Sequence, residues 1–320
     1  MRNKDGLIKI LDLMLKIRMA SETIVEVYQR DQSMRTPTHL SIGQEAVAAA
    51  LAVNLNADDQ LFAGHRCHSA FLAKGGDLNA FFAELCGRST GVCGGRAGSA
   101  HLTDARAGIF ASPILSAMIP VAVGAALSFN MSRSKQVAVT MFGDAAIEEG
   151  VFAESVNFAV TKKLPVLFVC ENNLYSTHSP LSVRQPPSPI FERVAFKEFH
   201  TQQVDGNDVL LLDQVLGRAI ADIRETGKPQ FIECLTYRVR EHVGPLTDHD
   251  RGYRTLAEVE SWKAKCPIAR LTRLLTAENI LTVQEIEQMS AAWKQRSDAA
   301  YKQALNDPWP EVSQLTAQVY

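Results

Sequence analysis

Residues 137–142 read VAVTMF and close on Gly143-Asp144; residues 165–170 read PVLFVC and close on Glu171-Asn172-Asn173. Each is a short, continuously apolar run with a polar end. Between them, residues 149–161 carry Phe152, Val156 and Ala159/Val160 at helical spacing. A third run, residues 231–237 (FIECLTY), follows a helical pattern near residues 208–224. Strands that are apolar throughout, alternating with helices, belong to a parallel sheet covered on both faces. The expected fold class is α/β, a doubly wound and mostly parallel sheet.

Working outward, the N-terminal third reads helical, with glycine-rich interruptions at residues 74–77 and 94–98. Residues 176–189, rich in Ser and Pro, and residues 241–253 (EHVGPLTDHDRGY) read as surface loops. After Thr255 the pattern is helical to the end. No linker stands out, so residues 1–320 are expected to form one unit. Its core covers about residues 35–245, with helical additions at the N-terminus and over about residues 255–320.

Composition narrows the function. Of 320 residues, 46% are hydrophobic and 21% charged, which is ordinary for a globular chain and excludes disordered or disulfide-dense classes. The net charge of −2 gives no field that would gather nucleic acid or anionic lipid. The six cysteines form no C-x-x-C pair, and free thiols in a reducing compartment are expected. Residues 1–19 form an amphipathic pattern interrupted by Lys9, Asp12, Lys16 and Arg18, unlike a signal peptide, so the cytoplasm is the expected location. Residues 107–132 lack charge, but Ser112, Pro113, Ser116 and Pro120 break the run. A loop over residues 111–116 and a small-residue helix from about Pro120 fit better than a membrane span. Gly124, Ala125 and Ala126 would let another backbone pack closely there.

Asp144 and Asn173 lie 29 residues apart, each just past a predicted strand. A right-handed crossover brings both tips to one edge of the sheet, where ligands bind in open α/β folds. A carboxylate and an amide oxygen there suit a hard divalent cation such as Mg²⁺. The turn from Gly143 to Ala146 can present backbone N–H groups to a phosphate. On spacing alone the plainer reading stays open: Asp144 caps a helix and Asn173 ends a strand.

Gly143-Asp144-Ala145 followed by Asn172-Asn173 resembles the thiamine diphosphate signature, Gly-Asp-Gly and then Asn-Asn. The likeness extends over about residues 5–275. It includes residues 39–45 (HLSIGQE), 64–69 (GHRCHS), 95–101 (GRAGSAH), 204–206 (VDG) and 236–242, ahead of Gly252-Tyr253-Arg254. In these the chain is similar to the alpha subunit of two-chain, thiamine-diphosphate-dependent 2-oxo acid dehydrogenases of the pyruvate, branched-chain and acetoin type.

That resemblance implies the thiamine diphosphate-binding fold and a set of roles. Asp144, Asn173 and the backbone carbonyl of Tyr175 would hold Mg²⁺. Gly143, Ala145, Ala146, His65 and Arg66 would face the diphosphate, and Leu115 the aminopyrimidine ring. His68 and His242 would be active-site histidines, His242 also touching the cofactor. A separate beta subunit would carry the pyrimidine-binding domain and its activating glutamate. The implied reaction decarboxylates a 2-oxo acid and passes the acyl group to a lipoyl carrier; a non-oxidative transferase or carboligase is the alternative. Departures are Ala145 for the third motif glycine, His65 for the usual tyrosine, and Pro113 for a usual glycine. Val243 stands where regulated relatives carry a serine, which removes phosphorylation at that position.

Overall fold

The computed structural model describes residues 2–34 and 36–315. Six parallel strands form the central sheet: β1 (Gln60–Ala63), β2 (Ile109–Ala111), β3 (Ala138–Gly143), β4 (Val166–Asn172), β7 (His200–Asp205) and β8 (Gln230–Leu235). Their order is β2-β1-β3-β4-β8-β7. A small antiparallel pair, β5 (Tyr175–Ser176) and β6 (Ser179–Pro180), lies just past β4. The doubly wound α/β expectation holds.

The apolar runs do what continuous hydrophobicity requires. Alternate side chains of a strand face opposite sides. Val139, Met141, Leu167, Val169, Ile232 and Cys234 enter one core, beneath helices Lys4–Val27, Glu45–Ala52 and Val209–Thr226. Ala138, Phe142, Phe168, Cys170 and Phe231 enter the other, beneath helices Met118–Met131 and Gly150–Lys162. Helix Val209–Thr226 starts at Asp208, whose side chain accepts from Leu211 N, and stops at Gly227, where φ is 69°.

Helix Val283–Asn306 opens with a capping box between Thr282 and Glu285. It packs on helix Lys4–Val27, where Trp293 Nε1 donates to Asp12 Oδ1 at 2.6 Å. The two helical additions therefore support the same face of the sheet.

Three expectations are corrected. The N-terminal third is not wholly helical, because β1 and β2 lie within or just beyond it. β7 was not expected at all; as an edge strand it keeps exposed polar residues such as His200 and Asp205. Residues 176–189 are not simply a surface loop. They contain the β5–β6 hairpin and helix Leu181–Arg184, and Gln185 behind it is buried.

The strand order fixes where a ligand can sit. From β1 the chain moves outward to β2, then returns to the other side of β1 for β3. The carboxyl ends of β1 and β3 therefore diverge at the topological switch point, the usual crevice of such sheets. The segment entering helix Glu45–Ala52 closes one wall. Gly43 has φ of 99°, and a Cβ there would lie 2.5 Å from Tyr237 O. Only glycine fits, and Val239 N donates to Ile42 O at 3.0 Å beside it. Among the described residues no helix is long and apolar enough to cross a membrane.

Candidate active site

One cleft opens at that switch point. Gly64, His65 and Arg66 follow β1 into it; Gly143, Asp144, Ala145 and Ala146 follow β3; Asn173 and Tyr175 follow β4; Leu115 and His242 reach in from loops. Every expected site residue except His68 lines this cleft. A Cβ built on Gly64 or on Gly143 would meet nothing within 4 Å, so both glycines border open space.

Asp144 is buried at the start of the 3₁₀ turn Asp144–Glu148. Gly143 pairs with Glu171 across β3 and β4, which sets Asp144 beside the Asn172-Asn173 tip. Burial pushes the Asp144 carboxyl above its ordinary range, against the opposing pull of Arg184. Arg184 is ion-paired with both Asp144 and Glu148. Gln185 Nε2 adds a bond to Asp144 O at 3.0 Å and to Glu148 Oε1 at 2.6 Å. A positive charge thus already rests on the carboxylate that was expected to hold a cation, a contact the sequence did not reveal.

The β4 tip is shaped by its own asparagines. Leu174 takes a φ of 73°, unusual for a side-chain-bearing residue. Leu174 N donates to Asn172 Oδ1 at 3.1 Å and Tyr175 N to Asn173 Oδ1 at 3.3 Å. These bonds hold the sharp turn. Asn173 Nδ2 donates to Gln44 Oε1 at 3.0 Å, which orients the Asn173 amide.

Gln44 and Glu171 were not among the expected site residues. Both line the cleft. Gln44 Nε2 and Glu171 Oε1 are buried without a hydrogen-bond partner. Burial raises the Glu171 carboxyl to about 7, despite the nearby Arg66 charge. Buried polar atoms left unpaired are costly, and a polar ligand would relieve them. The adjacent Glu45 is structural: its carboxylate takes Arg18 Nε at 2.6 Å and Gly43 N at 3.1 Å.

Arg66 is buried, with Nη1 donating to Leu40 O at 2.6 Å. Burial, followed by Arg238, lowers its guanidinium to about 10. It stays charged at neutral pH and makes this part of the cleft anion-seeking. His242 and His65 face the same space. Burial first, and then the Arg66 charge, hold them neutral, at about 3 and about 4.

His68 is placed differently. It begins helix His68–Ala73, is fully buried, and bonds Ser99 Oγ through Nε2 at 2.8 Å. Its ring packs edge-on against Phe81. His101 and His178 are exposed. All six cysteines are free.

The loop over residues 241–253 is tethered at its far end. Asp248, with no exposed surface, accepts from Arg254 Nε at 2.7 Å and Arg238 Nη1 at 3.3 Å, and from the Tyr253 hydroxyl. Arg238 also donates to Thr177 O at 2.6 Å, joining this loop to the hairpin after β4.

Fold and cleft together define an α/β chain whose sheet switch point gathers Arg66, Asp144 and Asn173 in one cleft. The comparisons carry this further. Residues 11–313 match the family described as dehydrogenase E1 component, and the chain belongs to that family. It is 33% identical over 310 residues to the alpha subunit of acetoin:2,6-dichlorophenolindophenol oxidoreductase of Bacillus subtilis (strain 168), covering 96% of this chain and 91% of that one. It is 30% identical to the mitochondrial pyruvate dehydrogenase E1 component subunit alpha-1 of Oryza sativa subsp. japonica, over 97% of this chain and 78% of that one. For the human somatic-form alpha subunit the identity is 29%, over 99% and 80%. The chain is thus an E1-type oxidoreductase alpha subunit, and the family implies thiamine diphosphate as its cofactor.

Proposed function

We propose that this chain is the diphosphate-binding half of a two-chain enzyme that decarboxylates a 2-oxo acid, with Mg²⁺ joining the cofactor to the protein. The observation that carries this reading is the meeting of Asp144, Asn173, Arg66 and His242 in one cleft at the switch point. The open space beside Gly64 and Gly143, and the unpaired atoms of Gln44 and Glu171, fit a polar ligand of this kind. When bound, the cofactor's thiazolium supplies an electron sink for decarboxylation.

The chain's own residues divide the remaining work. The Asp144 carboxylate, Asn173 Oδ1 and the Tyr175 carbonyl hold the cation. Arg66, His65 and the backbone at Gly143, Ala145 and Ala146 hold the diphosphate. Leu115 packs against the pyrimidine. His242, kept neutral by burial and the Arg66 charge and carried on a tethered loop, would accept a proton at the substrate. His68, outside the cleft lining and bonded to Ser99, would act as a positioning residue.

A beta chain completes the site with the pyrimidine-binding domain and its glutamate. Ile114, Leu115 and Val121 are exposed, beside a Gly124 with open space around it, and suit burial under that partner. The relatives named above are dehydrogenase or oxidoreductase chains, which favours the oxidative reading over a non-oxidative transferase. A lipoyl group on a carrier protein is the proposed acyl acceptor, and the cytoplasm the proposed location.

The chain co-purified with its beta partner, given thiamine diphosphate and Mg²⁺, is expected to reduce 2,6-dichlorophenolindophenol with at least one member of a panel of 2-oxo acids and acetoin. The alpha chain alone is expected to be inactive. Absence of dye reduction with every 2-oxo acid rejects the decarboxylating reading.

Arg184 must release Asp144 before a divalent ion can use that carboxylate. Hydrogen bonds to charged groups are worth about 1.5–3 kcal/mol, so Arg184→Met is expected to tighten Mn²⁺ binding by about tenfold to 100-fold in cofactor-free protein. Paramagnetic titration reads this. Weaker binding in the variant would make Arg184 a helper of the ion and not its competitor.

A further inference from the structure

A buried carboxylate away from the cleft organises the glycine-rich stretch after helix Leu78–Leu85. That helix starts at Asp77, whose side chain accepts from Ala80 N at 2.7 Å, and it buries Phe81, Phe82 and Leu85 in the core. Glu84, on the same helix, has no exposed surface. Burying a carboxylate is expensive unless it is paired or hydrogen-bonded. Here Oε2 accepts from Cys93 N at 2.8 Å and Gly95 N at 2.9 Å, and Oε1 accepts from Ala97 N at 2.7 Å and Gly98 N at 3.1 Å. Hydrogen bonds to an ionised carboxylate are strong, and four of them wind residues 91–98 around one charge. Gly98 permits the last bend: its φ is 64°, and a Cβ there would lie 2.5 Å from Thr36 Cγ2. None of residues 84–99 lines the cleft.

The wound stretch ends on Ser99, which is buried and bonded on three sides. Ser99 N donates to Thr36 Oγ1 at 3.1 Å, the Cys67 thiol donates to Ser99 O at 3.4 Å, and Ser99 Oγ bonds His68 Nε2 at 2.8 Å. Cys67 and His68 directly follow Arg66. Thr36 opens the segment that reaches Leu40, whose carbonyl accepts from Arg66 Nη1. Ser99 therefore grips both the segment that carries Arg66 and the segment that receives its guanidinium.

We propose that Glu84 is a positioning residue for Arg66: it folds residues 91–98 around its charge, and through Ser99 it holds the Arg66 arm in place for the diphosphate. This role rests on Arg66 holding the diphosphate, as proposed for the cleft. The C-terminal segment also grips the stretch, with Ser89 N donating to Pro308 O at 2.9 Å and Arg96 Nη1 to Gln314 O at 2.8 Å. Those bonds leave the four amides to Glu84. A glutamine cannot replace it, because its amide NH₂ would face two of the N–H groups that now meet an oxygen.

The test uses the two-chain complex with thiamine diphosphate and Mg²⁺. Outer partners of a binding group change affinity about 10–100-fold in metal sites, so Glu84→Gln is expected to weaken cofactor binding at least tenfold. Ser99→Ala is expected to weaken it as well. If Glu84 acts through Ser99, the double variant matches Glu84→Gln to within about twofold, whereas independent effects multiply. A second measurement needs no variant, and it decides the question should Glu84→Gln fail to fold. Coupling between two sites is reciprocal, so cofactor binding to the unaltered complex should slow hydrogen exchange at the amides of Cys93, Gly95, Ala97 and Gly98, although none of them lines the cleft. Exchange there that ignores the cofactor, unchanged affinity in Glu84→Gln, or losses that multiply in the double variant overturn the proposal and leave Glu84 as an anchor of its own loop alone. An unaltered complex that binds no thiamine diphosphate instead rejects the reading of the cleft, and this role with it.

Discussion

Asp144→Asn is expected to weaken magnesium-dependent binding of thiamine diphosphate by about 100-fold or more while leaving the chain folded. Of the three oxygens proposed to hold the cation, those of Asn173 and Tyr175 are neutral. Asp144 alone supplies negative charge to a hard ion that prefers anionic oxygen. Outer partners of metal sites already change affinity about 10–100-fold, so a charged direct ligand should exceed that. Asparagine keeps the shape of the side chain, and Arg184 keeps its pair with Glu148. The unliganded fold therefore does not lose both halves of a buried ion pair. Alanine is the poorer probe, because it also opens a void beside Ala146 and Gln185. Calorimetric titration of the two-chain complex with cofactor, with and without Mg²⁺, reads the effect. Affinity equal to that of the unaltered chain would show that Asp144 serves only Arg184 and caps its turn.

What the sequence made legible follows from local physics. β3, β4 and β8 lie inside the sheet, and strands buried on both faces read as near-continuous apolar runs. β1 has four residues and β2 three, too few for a period to register. β7 sits at an edge and needs no apolar run. Asp144 and Asn173 were legible because a βαβ unit fixes its strand tips. The switch point was not, because it depends on the unseen β1. Arg184 escaped for a different reason: a hairpin and a single helical turn carry it back over the cleft from a Ser/Pro-rich stretch. His68 is a different case. Two residues beyond Arg66 it looks like a second site residue, but it starts a helix and turns inward onto Phe81.

The largest effect on stability is expected at Asp248, and it bears directly on His242. Burial alone would raise its carboxyl; the Tyr253 hydroxyl, Arg254 and Arg238 outweigh that and hold it below its ordinary range. Asp248→Asn would leave Arg238 and Arg254, both almost wholly buried, without their shared counter-charge. Breaking a buried pair from one side costs about 3–5 kcal/mol, enough to free the loop over residues 241–253 even where the sheet survives. A folded-state pKa below the unfolded one contributes stability above the unfolded value of about 3.9. That contribution disappears as pH falls through the folded value. The unaltered loop should therefore stay protected from proteolysis at neutral pH and become sensitive only below about pH 4. Asp248→Asn should be cut within the loop already at pH 7. Turnover by the two-chain enzyme should fall with it, since the proposed role of His242 needs the loop in place, while Mg²⁺-dependent diphosphate affinity, proposed above to rest mainly on Asp144, Asn173 and Arg66, should fall far less. Equal protease resistance of the variant and the unaltered chain at pH 7 would show that the loop is held by something other than this buried cluster.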